Sequence, residues 1–481
     1  MPDIAPTIWF GVHVVLAAGL SLHALLRKKR PASTVLWLAV LWAFPGLGAG
    51  AYLAFGIDQV RRGGRERRVV AELWKKLLTR EGHAAGEGGS PLPAGHPAEH
   101  VLRLTEPAVR PFRVRAGNRA ELLVDGDEAY PRMLSAIAGA RETIRLQTFI
   151  LATDDTGRSF REALAERAGD GVDTRVLLDR FGSTKAYLTR FLRPVAQAGG
   201  HVATITQANP LKGRFQINLR NHRKLLTVDG HTAFLGGLNL DDRNVARGDR
   251  RPDRDYHVLV EGPVVRDLEY LFAADWYFAT GHDPDRLIDP DTPPPDPRGE
   301  AFAQPVPGGP DREGRNLAHA FFGAIVAARE SLTIVTPYFI PDETQVDAIV
   351  FAALHGVEVR LVVPGRSNHW YTVPAGRALY GRLLRAGVRI FERGPPFMHA
   401  KALLVDDAYA FVGSANLDYR SLHLNFELNL EIAERGFVRR VREQVEAEVA
   451  ESREVTLEQY VSRGFHRRLV ENVCFLFQPV L

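Results

Sequence analysis

Cysteine is almost missing from this chain. One residue, Cys474, in 481 excludes an internal disulfide framework and a cysteine-based zinc site. Lysine is scarce as well: 8 Lys stand against 53 Arg, and beyond residue 80 only Lys185, Lys212, Lys224 and Lys401 occur. Where a generic cation suffices the chain uses arginine, so each retained lysine points to a need for a compact ammonium. Excess positive charge is confined to one end. Residues 1–80 hold 12 Lys+Arg against 4 Asp+Glu, and with a whole-chain charge of +4 the rest carries −4. A mildly acidic body lacks the cationic footprint of a general nucleic-acid binder. What is present is ordinary globular material, 45% hydrophobic and 25% charged, which excludes a disordered or collagenous chain.

Ile8–Leu26 contains no Asp, Glu, Lys or Arg and ends at Arg27-Lys28-Lys29-Arg30. At ~1.5 Å per residue such a helix spans a ~30 Å hydrocarbon core. A second uncharged run, Thr34–Ile57, carries Trp37, Trp42 and Tyr52 and is followed by Arg61, Arg62, Arg65, Arg67 and Arg68. Basic residues that follow the first apolar run, and a second run directly after it, are the wrong order for a cleaved signal peptide. The N-terminus therefore reads as a membrane anchor of two segments, about 8–26 and 34–57, with a basic flank reaching residue 80. Both flanks are basic, so a simple hairpin cannot satisfy the positive-inside preference. Pro45, Gly46, Gly48 and Gly50 at mid-depth suggest a kinked or re-entrant path with both ends cytoplasmic.

Residues 81–100 form a linker rich in Gly, Ala and Pro, mainly Gly82–Pro97. Gly281–Pro310 holds 9 of the 30 prolines and is expected to contain no regular structure, with 281–303 the second linker. The flanking parts, 101–280 and 304–481, resemble each other. Ala140-Arg141-Glu142-Thr143-Ile144 recurs as Ala328-Arg329-Glu330-Ser331-Leu332, and the Gly171–Leu178 run recurs as Gly356–Val363. This is a duplicated unit rather than a solenoid of short repeats. Strand runs at Ile144–Leu151 and Arg175–Leu178, with an amphipathic helix at about 158–168 between them, predict an α/β fold. The sheet should be largely parallel, with helices on both faces, in two α-β-α halves packed about a pseudo-two-fold.

The chemistry lies in a doubled motif. His222-x-Lys224-x4-Asp229-x6-Gly236-Gly237-x-Asn239 returns 177 residues later as His399-x-Lys401-x4-Asp406-x6-Gly413-Ser414-x-Asn416. Chance predicts about 0.27 His-x-Lys pairs in this composition, and about 0.02 with the aspartate required. If His222–Val228 and His399–Val405 are strands, the His and Lys at i and i+2 share one face, with Leu225, Leu226, Val228, Leu403, Leu404 and Val405 as apolar filling. Asp229 and Asp406 fall in turns and have two readings, fixing the turn or touching substrate. The spacing lacks the second ligand of usual zinc sites, and nearby lysines repel a cation, so no metal is expected. A phosphodiester fits: Lys224, Lys401, Asn239, Asn416 and Ser414 would donate to phosphate oxygens, one His would attack phosphorus and the other protonate the leaving oxygen. Each imidazole then needs an orienting acceptor. Asp255, 33 residues after His222, and Glu427, 28 after His399, are the candidates.

The doubled His-x-Lys-x4-Asp pattern resembles that of the phospholipase D superfamily. Further motifs make the chain similar to its bacterial cardiolipin synthase branch: the N-terminal double apolar segment, Leu178-Asp179-x-x-Gly182-Ser183, Glu261-Gly262-Pro263, Asp275-Trp276, Thr336–Pro341, Asn425-Phe426-Glu427 and the Phe475–Leu481 terminus. The resemblance implies transfer of a phosphatidyl group from one phosphatidylglycerol to the hydroxyl of another, with glycerol released. It implies no cofactor, a covalent phosphohistidine on His222, and His399 as acid and base. It also implies a bacterial inner membrane, and the basic flanks lean the catalytic part to the cytoplasmic side. The pattern is broken at Gly237, where serine is usual, so the two halves should bind phosphate unequally.

Phe465–Leu481 has two readings, an interfacial amphipathic tail or a docked core helix. A hydrolase acting on phospholipids uses the same residues with water as acceptor, and a non-catalytic membrane scaffold is the third class. Nothing in the residues reveals an oligomeric state.

Overall fold

The computed structural model describes residues 4–27, 31–56, 92–109, 112–205, 220–282, 287–288, 293–309 and 316–478. The basic flank after Ile57, most of the 81–100 linker, parts of the proline-rich segment and the last three residues lie outside them. The described residues divide into two compact units, 4–27 with 31–56, and the remainder.

In the first unit, helix Ile4–Arg27 includes one stretch, Ile8–Arg27, long and apolar enough to cross a membrane. Ile8, Trp9, Phe10, Val15 and Leu26 are exposed along it. The second apolar run is not one helix. Pro31–Ala43 forms 13 residues of helix, the chain turns at Phe44-Pro45-Gly46, and a short helix Leu47–Ala51 passes into a π-turn at Tyr52–Gly56. Proline lacks the N–H that would continue the ladder, and Gly46 takes φ 74°. Thirteen residues reach only ~20 Å, short of a hydrocarbon core. The turn packs back on the first helix: Ala24, Leu41 and Tyr52 are buried together, and the Tyr52 hydroxyl lies 2.9 Å from His23 Nδ1.

In the second unit the first half supplies strands β1 (Arg115–Val124), β2 (Thr143–Thr148), β3 (Asp173–Asp179), β4 (His201–Ile205), β5 (Leu225–Val228), β6 (Thr232–Gly236) and β7 (Tyr256–Glu261). The second half supplies β8 (Ala301–Gly308), β9 (Ser331–Val335), β10 (Phe339–Ile340), β11 (Glu358–Pro364), β12 (Arg389–Arg393), β13 (Ala402–Val405), β14 (Tyr409–Gly413), β15 (Leu417–Asp418), β16 (Glu427–Ala433) and β17 (Ser452–Val455). All but β10 and β15, which pair with each other, join one 15-stranded sheet in the order β17-β12-β11-β9-β13-β14-β16-β8-β1-β7-β6-β5-β2-β3-β4. Apart from edge strand β17 the order is palindromic, so the pseudo-two-fold passes between β1 and β8. Each half keeps its own core, one around Phe160, Leu226 and Phe234, the other around Leu361, Leu403 and Phe411.

Three expectations change. The 15-stranded sheet is mostly antiparallel: within it only β2-β3-β4 and β9-β11-β12 run parallel. The motif strands β5 and β13 turn straight into β6 and β14 through Asp229-Gly230 and Asp406-Asp407, and so short a link permits only a hairpin. The proline-rich segment does contain a strand. Pro305 and Pro307 alternate in β8, opposite Leu430 and Leu428 of β16, while β1 pairs β8 only near Ala301 and Ala303, so the prolines' missing N–H groups fall on the unladdered edge. Val101, Leu102, Val109 and Val114 fall within the expected first half, 101–280, yet belong to the second half's core, because helix Glu99–Thr105 packs on helix Asn316–Ala327.

Arg223, between the two motif residues of the first half, ties the halves together. Its guanidinium meets both oxygens of Asp275 (2.9 and 2.8 Å), and Asp275 also accepts from Gln147 Nε2 (2.7 Å). The same guanidinium donates to Glu427 O (2.9 Å) and Gly308 O (3.0 Å) of the second half. Both charges are fully buried, so Arg223→Ala leaves an uncompensated carboxylate. It is expected to cost roughly 3–5 kcal/mol in denaturant unfolding of the solubilised protein, with much of the loss recovered in Arg223→Met/Asp275→Leu. A loss below ~1 kcal/mol would remove Arg223 from this role.

Candidate active site

The two His-x-Lys segments sit just ahead of β5 and β13 rather than within them. Each is held by backbone contacts with the opposite half. His222 N donates to Phe426 O (2.8 Å), and His399 N donates to Arg254 O (2.7 Å). The bridges Asn221–Phe426 and Arg254–Met398 run parallel, which places each histidine beside the carboxylate that follows its partner segment. His222 Nδ1 lies 3.0 Å from Glu427 Oε2, and His399 Nδ1 lies 2.6 Å from Asp255 Oδ2. The structure thus brings both candidate carboxylates to the imidazoles but crosses their assignment. Each orients the histidine of the other half.

The carboxylates are themselves fixed. Glu427 accepts from Ser414 Oγ (2.5 Å), Ser421 Oγ (2.9 Å) and Asn425 Nδ2 (3.2 Å). Asp255 accepts from Tyr256 N (2.9 Å). Ser414 is buried, spends its hydroxyl on Glu427 and accepts from Leu428 N (2.9 Å), so it supports the orienting carboxylate instead of reaching a phosphate. Gly237 has a matching explanation: a Cβ there would lie 2.0 Å from Asp255 Oδ1. In the first half the carboxylate takes the space that the serine side chain fills in the second. The break at Gly237 is a packing requirement at Asp255, and it removes no phosphate donor.

Asp229 and Asp406 turn away from the imidazoles. Asp229 accepts from the backbone N–H groups of Arg141, Glu142 and Thr143 (2.9, 2.8 and 2.8 Å), and Asp406 from those of Arg329, Glu330 and Ser331 (3.3, 2.9 and 3.0 Å). Both take φ 49°, a left-handed conformation that aspartate tolerates. They anchor the motif hairpin to the start of β2 or β9, as the turn-fixing reading expects. Asn239 and Asn416 follow β6 and β14. Asn239 Oδ1 accepts from Ile150 N (3.3 Å), and Asn416 Nδ2 donates to Asp418 Oδ2 (3.1 Å).

Residues outside the doubled motif complete the site. Asp179 accepts from Asn221 N (2.8 Å) and from Phe181 N and Gly182 N (both 2.9 Å), fixing the strand entry beside His222. Phe149 stands edge-on to His222 at 4.9 Å, and Tyr338 edge-on to His399 at 6.3 Å. Thr336-Pro337-Tyr338 and Asp179 belonged to motifs visible in the chain, whereas Phe149 carried no signal beyond its place after β2.

Burial sets the electrostatics. Desolvation lowers the His222 imidazole, and the charges of Lys224 and Lys401 add to this; His399 falls to about 4 through burial and the charge of Lys401. Burial also brings Lys224 down to about 7 and Lys401 to about 8. Lys224 Nζ donates to His222 O (2.7 Å), and Lys401 Nζ lies 2.9 Å from His399 Nδ1. Desolvation alone would raise Asp255 and Glu427, but the cations facing them outweigh it and both stay below the usual carboxylate range. Two neutral imidazoles held through Nδ1 and two ammonium groups acting on both rings form a pocket suited to a phosphodiester anion. Among the described residues no group of three or more His, Cys, Asp or Glu side chains could hold a metal ion.

The family described as "Cardiolipin synthase, PLD-like domain" matches residues 133–276 and 322–449, and "Phospholipase_D-nuclease N-terminal" matches 7–56. Cardiolipin synthase A of Pseudomonas aeruginosa is 36% identical over 479 residues, covering 97% of this chain and 94% of its own. The chain belongs to the cardiolipin synthase family. A second relative, the major cardiolipin synthase ClsA of Bacillus subtilis, is 31% identical over 494 residues, covering 100% and 99% of the two chains. A phosphatidylserine synthase from Haemophilus influenzae shares the fold, with a TM-score of 0.60 at 14% identity over 79% of this chain and all of its own. The duplicated cardiolipin synthase halves are therefore present on both sides of the proline-rich segment.

Two outcomes test this geometry. Asp255→Asn and Glu427→Gln should each lower kcat by ~10²–10⁴-fold, since each removes the charge that orients an imidazole. Imidazole NMR resonances should shift at His399 for the first substitution and at His222 for the second; the reverse assignment would contradict the crossed pairing. The pH profile follows from the lysines. In the free enzyme their charge is lost as pH rises through 7–8, so kcat/KM should fall on that limb. A bound phosphate anion favours the ammonium form, so kcat should hold to higher pH. A kcat/KM flat to a pH of about 10 would show lysines of ordinary acidity.

Proposed function

We propose that this site transfers a phosphatidyl group between two phosphatidylglycerol molecules, forming cardiolipin and releasing glycerol. His222 Nε2 attacks the phosphorus of the first lipid, the bond from phosphorus to the headgroup glycerol oxygen breaks, and His399 gives that oxygen its proton. The hydroxyl of the second lipid then surrenders a proton to His399 and attacks the phosphohistidine, and His222 leaves as neutral imidazole. Lys224 and Lys401 stabilise the negative charge that builds on the non-bridging oxygens. Glu427 and Asp255 accept from Nδ1–H of each ring and so turn Nε2 to the phosphate, as the bare nucleophile in His222 and as the protonated acid of an imidazolium in His399, which takes up its proton when the phosphate anion binds.

The observation that carries this reading is the crossed pairing of two half-buried imidazoles, 12% and 13% exposed, with two buried carboxylates, an arrangement suited to one ring on each side of a shared phosphate. Family membership supports the lipid substrate. The depressed imidazoles suit a nucleophile that is neutral at rest. The phosphate anion offsets the lysine charges and raises His399 toward the range an acid needs. The low exposure of both rings supports transfer over hydrolysis, because water at ~55 M competes with a lipid hydroxyl unless the site is closed and the acceptor is delivered beside it. The apolar helix Ile8–Arg27 is suited to supply that proximity by anchoring the chain in the inner membrane of a bacterium, with the catalytic unit on the cytoplasmic side. The broken second segment fits a re-entrant path.

The test is product analysis on the full chain reconstituted with phosphatidylglycerol. Cardiolipin and glycerol should appear in equal amounts, and phosphatidic acid as sole product would make the enzyme a hydrolase. His222→Ala and His399→Ala should each reduce turnover by at least ~10³-fold. Rapid quenching at neutral or alkaline pH should find the phosphatidyl adduct on His222, and an adduct on His399 would exchange the two roles.

A further inference from the structure

The C-terminal helix Phe465–Phe475 is inside out for a water-facing helix. Phe465, Leu469, Val473 and Leu476 fall within one sector of the helix and point to solvent, Phe465 71% and Leu476 75% exposed. Glu471 and Cys474 point inward, Cys474 into a small cluster with Ile340 and Ala375. Glu471, the one carboxylate between Phe465 and Leu481, is 3% exposed and accepts from Arg467 Nε (3.2 Å) and lies 3.3 Å from Arg463 Nε. The acid is turned in and neutralised, which leaves an outward surface of apolar side chains edged by His466 and Arg468. Water gives no reason for this arrangement. An interface with an apolar interior and anionic headgroups does.

The surface continues toward the catalytic histidine. Tyr371 and Phe475 pack against the same Ile340–Ala375–Cys474 cluster. Beside Tyr371, Trp370 is 77% exposed, and its ring stands edge-on to that of Tyr371 at 5.7 Å. His369 lies 5.7 Å from Tyr338, whose ring is edge-on to His399. The pseudo-two-fold sets a counterpart across the mouth. The loop after β3 exposes Phe181 and the short helix Thr184–Leu188 that follows exposes Leu188, with the guanidinium of Arg220, two residues before His222, 3.7 Å over the Phe181 ring. Tryptophan and arginine next to apolar side chains are the residues that settle at headgroup depth.

We propose that helix Phe465–Phe475 and the Trp370 loop dock the catalytic unit on an anionic lipid bilayer, so that the mouth of the site opens at the headgroup level. This places the unit on a surface and is independent of which lipid reacts. It is tested on the full chain in phosphatidylglycerol-containing vesicles, with Cys474 replaced by Ala or, being buried, retained unlabelled. Single cysteines at Leu469, Leu476, Trp370 and Leu188 carry an environment-sensitive fluorophore, and Glu358 at the far end of β11 serves as control. The first four should shift to the blue and be quenched by lipids brominated high on the acyl chain several-fold more than position 358, and the quenching should weaken in vesicles lacking anionic lipid. Quenching equal to that at position 358 overturns the proposal. So does shielding from lipid at Leu469 and Leu476 with cross-links to a second copy or to the N-terminal helices, which would make the face a protein contact. Because the readout is depth, it stands even if product analysis returned a hydrolase.

Discussion

The structure depends on an exchange. Each half of the catalytic unit carries an imidazole that is oriented by a carboxylate from the other half, His222 by Glu427 and His399 by Asp255. Neither half is complete alone, since a histidine without its acceptor has no fixed tautomer and a buried carboxylate without its cation is costly. The exchange is mechanical as well as chemical. The backbone bridges at Asn221–Phe426 and Arg254–Met398, and the Arg223 guanidinium reaching the carbonyls of Glu427 and Gly308, bind the halves at the place where the reaction would occur.

Two carboxylates, two lysines and two histidines in one buried cluster would be a poor choice for stability, because desolvation offsets most of their mutual attraction. Their collective state makes chemical sense instead. The lysines press both imidazoles toward neutrality, and the carboxylates keep the lysines from losing their charge altogether. A phosphodiester is the charge that resolves this arrangement, since it compensates the ammonium groups and restores basicity to the rings. The same burial limits water, which a transferase must exclude during the lifetime of a covalent intermediate.

Much of this was legible in the chain, and the remainder fails for identifiable reasons. The duplication, the His-Lys pairs and the candidate carboxylates follow from residue types at fixed spacing, which survive any uncertainty about topology. The crossing of Asp255 and Glu427 does not, because sequence proximity suggests the nearer histidine and only the two-fold between β1 and β8 places each carboxylate opposite the farther one. Ser414 looked like a phosphate donor from its motif, yet its role depends on where β16 lies. Its partner position, Gly237, appeared to be a loss when it is room made for Asp255. Pro305 and Pro307 argued against a strand, and the free edge of β8 that admits them is a property of the assembled sheet. In the N-terminal unit the break at Pro45-Gly46 was visible as a kink, but only the packing of Tyr52 against Ala24 and Leu41 shows the chain folding back there.

The central claim is that both imidazoles act in turn on one phosphorus atom, and stereochemistry reads this directly. A phosphatidylglycerol made chiral at phosphorus with isotopic oxygen or sulfur, converted by the full-length enzyme, should give a product with configuration retained, because two in-line displacements each invert the centre. Inversion would mean a single direct displacement and would contradict a covalent histidine intermediate.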